Sequence, residues 1–391
     1  MNRQISGLTA LLFVNCIDPG LLPNDSDQEA FPGGAEESGF EAADKADSAL
    51  HPLERRLRNE QQLIDESISI LTANMRRLHG GRGVMRHGLH AKSHGCIKGT
   101  LTVNPGRPAR ARHGLFANEG TYNVWTRFSS AQPKVIADAA PDARGLAIKV
   151  TGVSGRRLLN DGATTQDFIL FTHPVGLGVD MRAIPDVLKT LANPAHAAIL
   201  VLKHPEVVAN TAVAFAAGAL VANPLETRYW SAAPYKLGAT AVKYFAKPCD
   251  WTVDGPVWPL SINIPNILAA DYLRDAIREK LQGPGACFDF MVQFYANQRL
   301  TPIENHLKNW TTSVAPFHKV ATINFPPQDF EKPAQQTFCE NLSFNPWRGV
   351  EDHQPLGNLN RARKKVYEAV SDLRRTTNRA PKTEPNGHET F

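Results

Sequence analysis

Leu359-Asn-Arg-Ala-Arg-Lys-Lys-Val-Tyr367 is the stretch on which the reading of this chain turns. On a helix, Arg363 and Tyr367 stand one turn apart and share a face. A neutral phenol is a poor metal ligand, and an unperturbed phenol ionises only near pH ~10. A guanidinium fixed beside it favours the phenolate, a strong oxygen ligand. Far upstream lie His90-Ala-Lys-Ser-His-Gly95 and Tyr122-Asn-Val-Trp-Thr-Arg-Phe-Ser-Ser130. A neutral histidine can take a proton from one substrate atom and return it to another. An arginine can grip a carboxylate with two parallel hydrogen bonds. A ligand, an acid/base and an anion grip are thus present, spread over the chain.

Further segments fall between these: Gly114-Leu-Phe-Ala, Asp142-Ala-Arg-Gly-Leu-Ala-Ile-Lys149, Thr165-Gln-Asp-Phe168, His173-Pro174, Phe344-Asn-Pro-Trp347 and Pro355-Leu-Gly357. Together and in this order they resemble the catalase family, over residues 80–375. The proximal end resembles the short catalase-like branch, which includes catalase-related peroxidases and catalase-like allene oxide synthases. The resemblance implies an α+β fold, a catalase-like antiparallel β-barrel with surrounding helices. It also implies no C-terminal flavodoxin-like domain. The implied cofactor is haem b, with Tyr367 as proximal iron ligand and Arg363 as its partner. His90 becomes the distal acid/base, and Ser129 bonds its outer nitrogen and fixes the tautomer. Arg127 reaches a haem propionate. Arg86 is a second cofactor-binding candidate, although the family's arginine stands three residues before the distal histidine and His87 fills that place here. Arg144 reads as structural, and His94 is the rival to His90.

Two departures bear on the reaction. Large catalases carry a distal asparagine in an Asn-Asn-Thr-Pro segment. The matching stretch here is Phe171-Thr-His-Pro174, which leaves Thr172 as the hydrogen-bonding group. The paired phenylalanines that follow in the family are replaced around Val175-Gly-Leu-Gly178. Smaller walls imply a wider pocket. The implied reaction is cleavage of the O–O bond of hydrogen peroxide or of an organic or lipid hydroperoxide, with the larger substrates favoured. Rearrangement of fatty-acid hydroperoxides, as in the allene oxide synthases, is one alternative. A haem-binding protein without turnover is another, but mere binding needs no histidine such as His90. Family members often self-associate, so a homo-oligomer is expected.

Composition sets outer limits. The chain has 391 residues, 42% hydrophobic and 21% charged, the balance of a soluble globular protein. A formal charge of +5, without concentrated basic runs, excludes a nucleic-acid partner by this reading. The five cysteines (Cys16, Cys96, Cys249, Cys287, Cys339) are scattered, odd in number and without zinc spacing. They read as reduced thiols of a cytoplasmic protein. Export is the alternative, on the apolar stretch 5–14 behind Arg3. No membrane span is expected, because residues 207–222 are too few to cross a bilayer and read as a buried helix.

Three regions follow. Residues 1–50 form an acidic extension, expected to be disordered because few aliphatics accompany its carboxylates. Residues 51–375 form the catalase-like haem domain. Residues 376–391 form a polar tail expected to be mobile. Within the domain, periodicity predicts a helix over 53–78 and mostly strands from 90 to 172. Helices follow over 183–222, strands return from 235, and a helix over 358–374 closes the domain.

Overall fold

The computed structural model describes residues 50–81, 83–219, 221–251, 269–382 and 384–391. All but the last residue of the acidic extension lies outside this range, as do the apolar stretch 5–14 and Cys16.

The strands are β1 (Ser93–Val103), β2 (Thr121–Ser130), β3 (Arg144–Val150), β4 (Gln166–Phe171), β5 (Tyr229–Trp230), β6 (Tyr235–Leu237), β7 (Thr240–Pro248), β8 (Ala286–Phe294) and β9 (Phe317–Phe325). They run in the order β5-β4-β3-β2-β1-β9-β8-β7-β6, and each neighbouring pair is antiparallel. β5 also pairs with β7, through Tyr229 with Ala246 and Trp230 with Phe245. That pairing closes an eight-stranded barrel and leaves β6 as a hairpin arm on β7. Closure removes the exposed edges of an open sheet.

Strand alternation sends Ile97, Leu101, Val124, Phe128, Leu146, Ile148, Phe168 and Phe290 into one apolar interior. Arg127 and Ser129 alternate with Phe128 and so project from the opposite, outer face of β2. The barrel is therefore a filled scaffold, and a site built from these side chains lies outside it.

Seven helices surround the barrel among the described residues: α1 (Glu60–His79), α2 (Ile184–Ala192), α3 (Ala197–Lys203), α4 (Pro205–Ala219), α5 (Tyr272–Gln282), α6 (Pro333–Asn341) and α7 (Asn358–Asn378). α7 packs on α1. Its start is fixed electrostatically. Arg361 reaches Glu54 at 2.6 Å, Glu60 at 2.7 Å and Glu304 at 3.3 Å, and Glu304 accepts from Asn358 N at 2.6 Å. One guanidinium thus ties α7, α1 and the 304 loop together, and that sets the height of Arg363 and Tyr367. Among the described residues no helix is long and apolar enough to cross a membrane.

Three expectations are corrected. Four cysteines are not free thiols: Cys96 pairs with Cys339 and Cys249 with Cys287, at Cα separations of 6.0 and 5.6 Å. The first pair spans 243 residues, so no local spacing announced it. The tail does not hang free. Glu384 takes Lys149 at 2.7 Å and Arg348 at 3.0 Å, Glu389 accepts from Trp125 Nε1 at 2.8 Å, and the Phe391 ring lies against Trp125 and Phe338. Lys149 and Asp167 are fully buried, and Glu384 adds to the charge that balances Lys149 and Arg348. α4, expected to be buried, is largely half-exposed; only Val207, Ala214 and Gly218 are inside.

Candidate functional site

β2 supplies Arg127 and Ser129, the segment just before β1 supplies His90, and one face of α7 supplies Arg363 and Tyr367. His90 is not on the strand. Its φ of +59° is left-handed, unusual for a residue with a side chain. Three contacts hold it there. His90 N donates to Ala131 O at 3.0 Å, Ala91 N to Gln132 O at 3.2 Å, and Arg127 NH2 to His90 O at 2.8 Å. The turn aims the imidazole at Ser129, with Nδ1 3.0 Å from Oγ. If Nδ1 carries the proton and donates to Oγ, Nε2 is left as the acceptor. Among the described residues no protein group bonds Nε2. Burial, then the charges of Arg127 and Arg363, lower the His90 pKa to about 3, so the ring is neutral at working pH.

Gly145 makes room for this ring and was missed by sequence reasoning. A Cβ there would lie 2.6 Å from His90 Cε1 and Nδ1 and 3.0 Å from Ser129 Oγ. In a single sequence, nothing about a strand glycine announces such a neighbour.

Opposite stands the phenol. Arg363 NH2 donates to Tyr367 Oη at 3.1 Å, and NH1 donates to Asn360 Oδ1 at 3.0 Å. Burial works against the Arg363 charge, but contact with Tyr367 and Tyr235 keeps its pKa above the ordinary value. His90 and Arg363 are enclosed by protein, yet both keep accessible surface. Arg363 is near enough to act on His90, so the two side chains border one region.

At the edge of this region the charges are mostly positive. Arg86 NH1 lies 3.5 Å from Glu340 Oε2. Arg127 is brought down to about 10 by burial and by Arg86, against the pull of Glu340. Arg374 is likewise brought down to about 10 by burial, with Arg127 and Arg375 opposing its charge and Glu340 supporting it. Arg374 was also missed. It stands seven residues after Tyr367, and two helical turns restore the same face, so the spacing could have found it. His87 is half-buried, feels the charges of Arg374 and Arg127, and has a buried Nε2 without a partner among the described residues. Arg374 is nearly fully buried and donates to Glu340 O, to Leu342 O at 2.9 Å and to Ser343 Oγ at 3.1 Å, so it holds the end of α6, and Arg86 and Arg127 are left as the cations for a further carboxylate.

The remaining assignments fall elsewhere. Thr172 Oγ1 accepts from Arg144 N at 3.0 Å, and Thr172 N donates to Arg144 O at 2.9 Å. Its oxygen thus helps to extend the β3–β4 ladder as an acceptor, and that bond does not use its O–H, the expected donor. His94 does not compete with His90; its Nε2 meets Ser130 Oγ at 2.9 Å and its Nδ1 faces Asp138 at 3.6 Å. Arg144 is structural as expected, bonded to Gly218 O at 3.0 Å and Ser130 Oγ at 2.6 Å. Gly176 is not an open channel wall. It is buried, bonded to His306 O at 2.7 Å, and a Cβ would sit 3.0 Å from His306 Cβ.

The barrel and its helices are similar to those of solved catalases. A fungal catalase superposes with a TM-score of 0.61 at 17% identity, over 76% of this chain and 61% of its own. The fold is the catalase fold. Catalase A from Saccharomyces cerevisiae gives a TM-score of 0.61 at 18% identity, over 76% of this chain and 63% of its own. A bacterial catalase gives 0.58 at 17%, over 96% and 72%. The chain thus spans less than two thirds of the first two catalases. No family model and no curated protein matches its sequence. Within the catalase fold, His90 lies just before β1 and Tyr367 lies on α7, far apart in sequence.

Proposed function

We propose that this protein is a haem-dependent hydroperoxidase, with residues 51–375 as the haem domain. The observation that carries the reading is a neutral histidine close enough to feel the charge of the arginine that is paired with a phenol. The donor set fits haem b. Tyr367 would hold the iron. Arg86 and Arg127 would hold the propionates, and charge supports this. Glu340 is paired with Arg86 and acts on Arg127 from farther off, so a ligand with carboxylates would add to the balance. A bound haem supplies the electrons that cleave the O–O bond. His90 Nε2 takes the proton of the hydroperoxide and returns it to the departing oxygen, which leaves as water or an alcohol. Ser129 and Gly145 keep the ring in position for both transfers.

Organic or lipid hydroperoxides are the better-supported substrates. Thr172 offers a short hydroxyl in place of an amide, so a small peroxide loses an orienting contact. The two disulfides favour an oxidising compartment over the cytoplasm. The test is turnover of hydrogen peroxide and cumene hydroperoxide by haem-loaded protein, with and without a reductant. Faster turnover of cumene hydroperoxide is expected. Rapid oxygen evolution from hydrogen peroxide with no action on cumene hydroperoxide would overturn the substrate preference. No action on either would overturn the activity.

A further inference from the structure

Large apolar side chains exposed one at a time are ordinary on a protein surface; a cluster of them marks a contact surface. Of the five such side chains among the described residues, three stand on α3: Ile199 is 43% exposed, Val201 52% and Leu202 84%. Six of the seven residues of α3 are exposed, and Leu200 alone is buried, in a cluster with Ala183, Val187 and Val207. The helix therefore projects from the protein, with most of its circumference outward. The loop before it continues the pattern, since Pro194 and Ala195 are exposed as well. Residues 193–203 contain no carboxylate, and their only polar side chains are Asn193, His196 and Lys203.

Two observations say what covers this face. The charges at its base are already paired. Asp186 on α2 takes Lys203 at 3.3 Å and lies 3.5 Å from His204, and Lys189 reaches Glu66 at 2.6 Å. A neutral surface fits such a base better than an anionic partner does. The run is also short. Residues 193–203 are eleven, against the roughly 20–30 a side of a stable protein interface. A short, projecting, apolar helix suits an acyl layer, which closes around it without a shaped groove. α3 is joined through His204 to α4, and α4 is tied to the stretch that follows β4. Asn210 Nδ2 donates to Gly176 O at 2.8 Å, and Gly218 O accepts from Arg144 Nε at 3.0 Å.

We propose that α3 and the loop before it form a docking surface for phospholipid, with Ile199, Val201 and Leu202 entering the acyl layer. The proposal rests on the hydroperoxidase reading for its purpose. A lipid hydroperoxide is held in such a layer, and docking brings the protein to it.

The test is sedimentation of the full chain, without haem, with phosphatidylcholine vesicles. Wild type should sediment with them, and added salt should change this little, because apolar burial and not charge drives it. Leu202→Ser and Ile199→Ser should each weaken binding roughly tenfold, the loss for one side chain withdrawn from an apolar layer. Val135→Ser removes a side chain 56% exposed elsewhere and should bind as wild type does. All three positions are exposed, so thermal unfolding should stay at wild type. Turnover of a phospholipid hydroperoxide in vesicles should fall in Leu202→Ser, while turnover of cumene hydroperoxide in solution should not. No vesicle binding by wild type, or equal binding by Leu202→Ser, would overturn the proposal. So would a wild-type dimer that Leu202→Ser dissociates, since a second copy would then cover the face. Binding is read without haem, so a protein that binds vesicles but cleaves no hydroperoxide would overturn the hydroperoxidase reading and leave the docking surface in place.

Discussion

Gly145→Ala places one methyl group where the structure leaves room only for hydrogen. Its Cβ would lie 2.6 Å from His90 Cε1 and Nδ1. Non-bonded carbons settle at roughly 3.5–4.0 Å, so the ring must retreat by about 1 Å. The backbone at Gly145 is ordinary strand, and alanine is better tolerated there than glycine. The substitution therefore acts through the imidazole and not through a distorted fold. Ser129 Oγ, 3.0 Å from the new carbon, blocks retreat on that side. The ring must turn, and its 3.0 Å bond to Ser129 is lost. A misplacement of about 1 Å can cost roughly 100-fold in rate. The assay is hydroperoxide turnover at saturating haem, beside the ferric spectrum and thermal unfolding. Turnover should fall by about two orders of magnitude while haem content and melting temperature stay near wild type. Wild-type turnover in a variant of full haem content would refute the placement of His90 as the acid/base.

Other outcomes follow from the same geometry. His90→Ala should keep haem and lose about 10²–10⁴-fold in peroxide cleavage, read by stopped-flow absorbance. Because the His90 pKa is lowered to about 3, its base form persists in mild acid. The pH–rate profile should then show no acid limb from His90 until the pH falls towards that value. Arg127→Ala should weaken haem binding while Arg86→Ala, whose side chain is 45% exposed, should matter less, as read by haem titration. Burial raises the pKa of Asp142 to about 6 from 3.8. The folded state thus holds this proton more tightly than the unfolded chain. Stability from Asp142 is present in acid and is lost as pH rises through about 6, by about 3 kcal/mol in all. Asp142→Asn should therefore be more stable than wild type at neutral pH by denaturant unfolding, and the gap should close in acid.

Local pattern carried much of the fold. Arg363 and Tyr367 were legible because helical spacing alone puts them on one face. Arg127 and Ser129 were legible because alternation about Phe128 sends both outward. What remained hidden is non-local. β5 has two residues, too few for any periodicity, yet it closes the barrel. The left-handed turn at His90 is imposed by Ala131, Gln132 and Arg127, none adjacent in sequence. Gly145 has meaning only once the ring of His90 lies over it. Cys96 and Cys339 meet because α6 packs on β1, and the polar tail stays in place because Lys149 and Arg348 are buried charges in contact with Glu384. In each case a single tertiary contact outweighed the local composition.

Haem titration into purified wild-type and Tyr367→Phe protein, followed by absorption spectroscopy, tests the central claim most directly. Wild type should bind one haem per chain and give a high-spin ferric spectrum of a phenolate-ligated iron. Tyr367→Phe should bind weakly or with a different spectrum, and its melting temperature should stay close to wild type, since Tyr367 is only half-buried. The same spectrum and affinity in both proteins, or no uptake by wild type, would contradict the assignment.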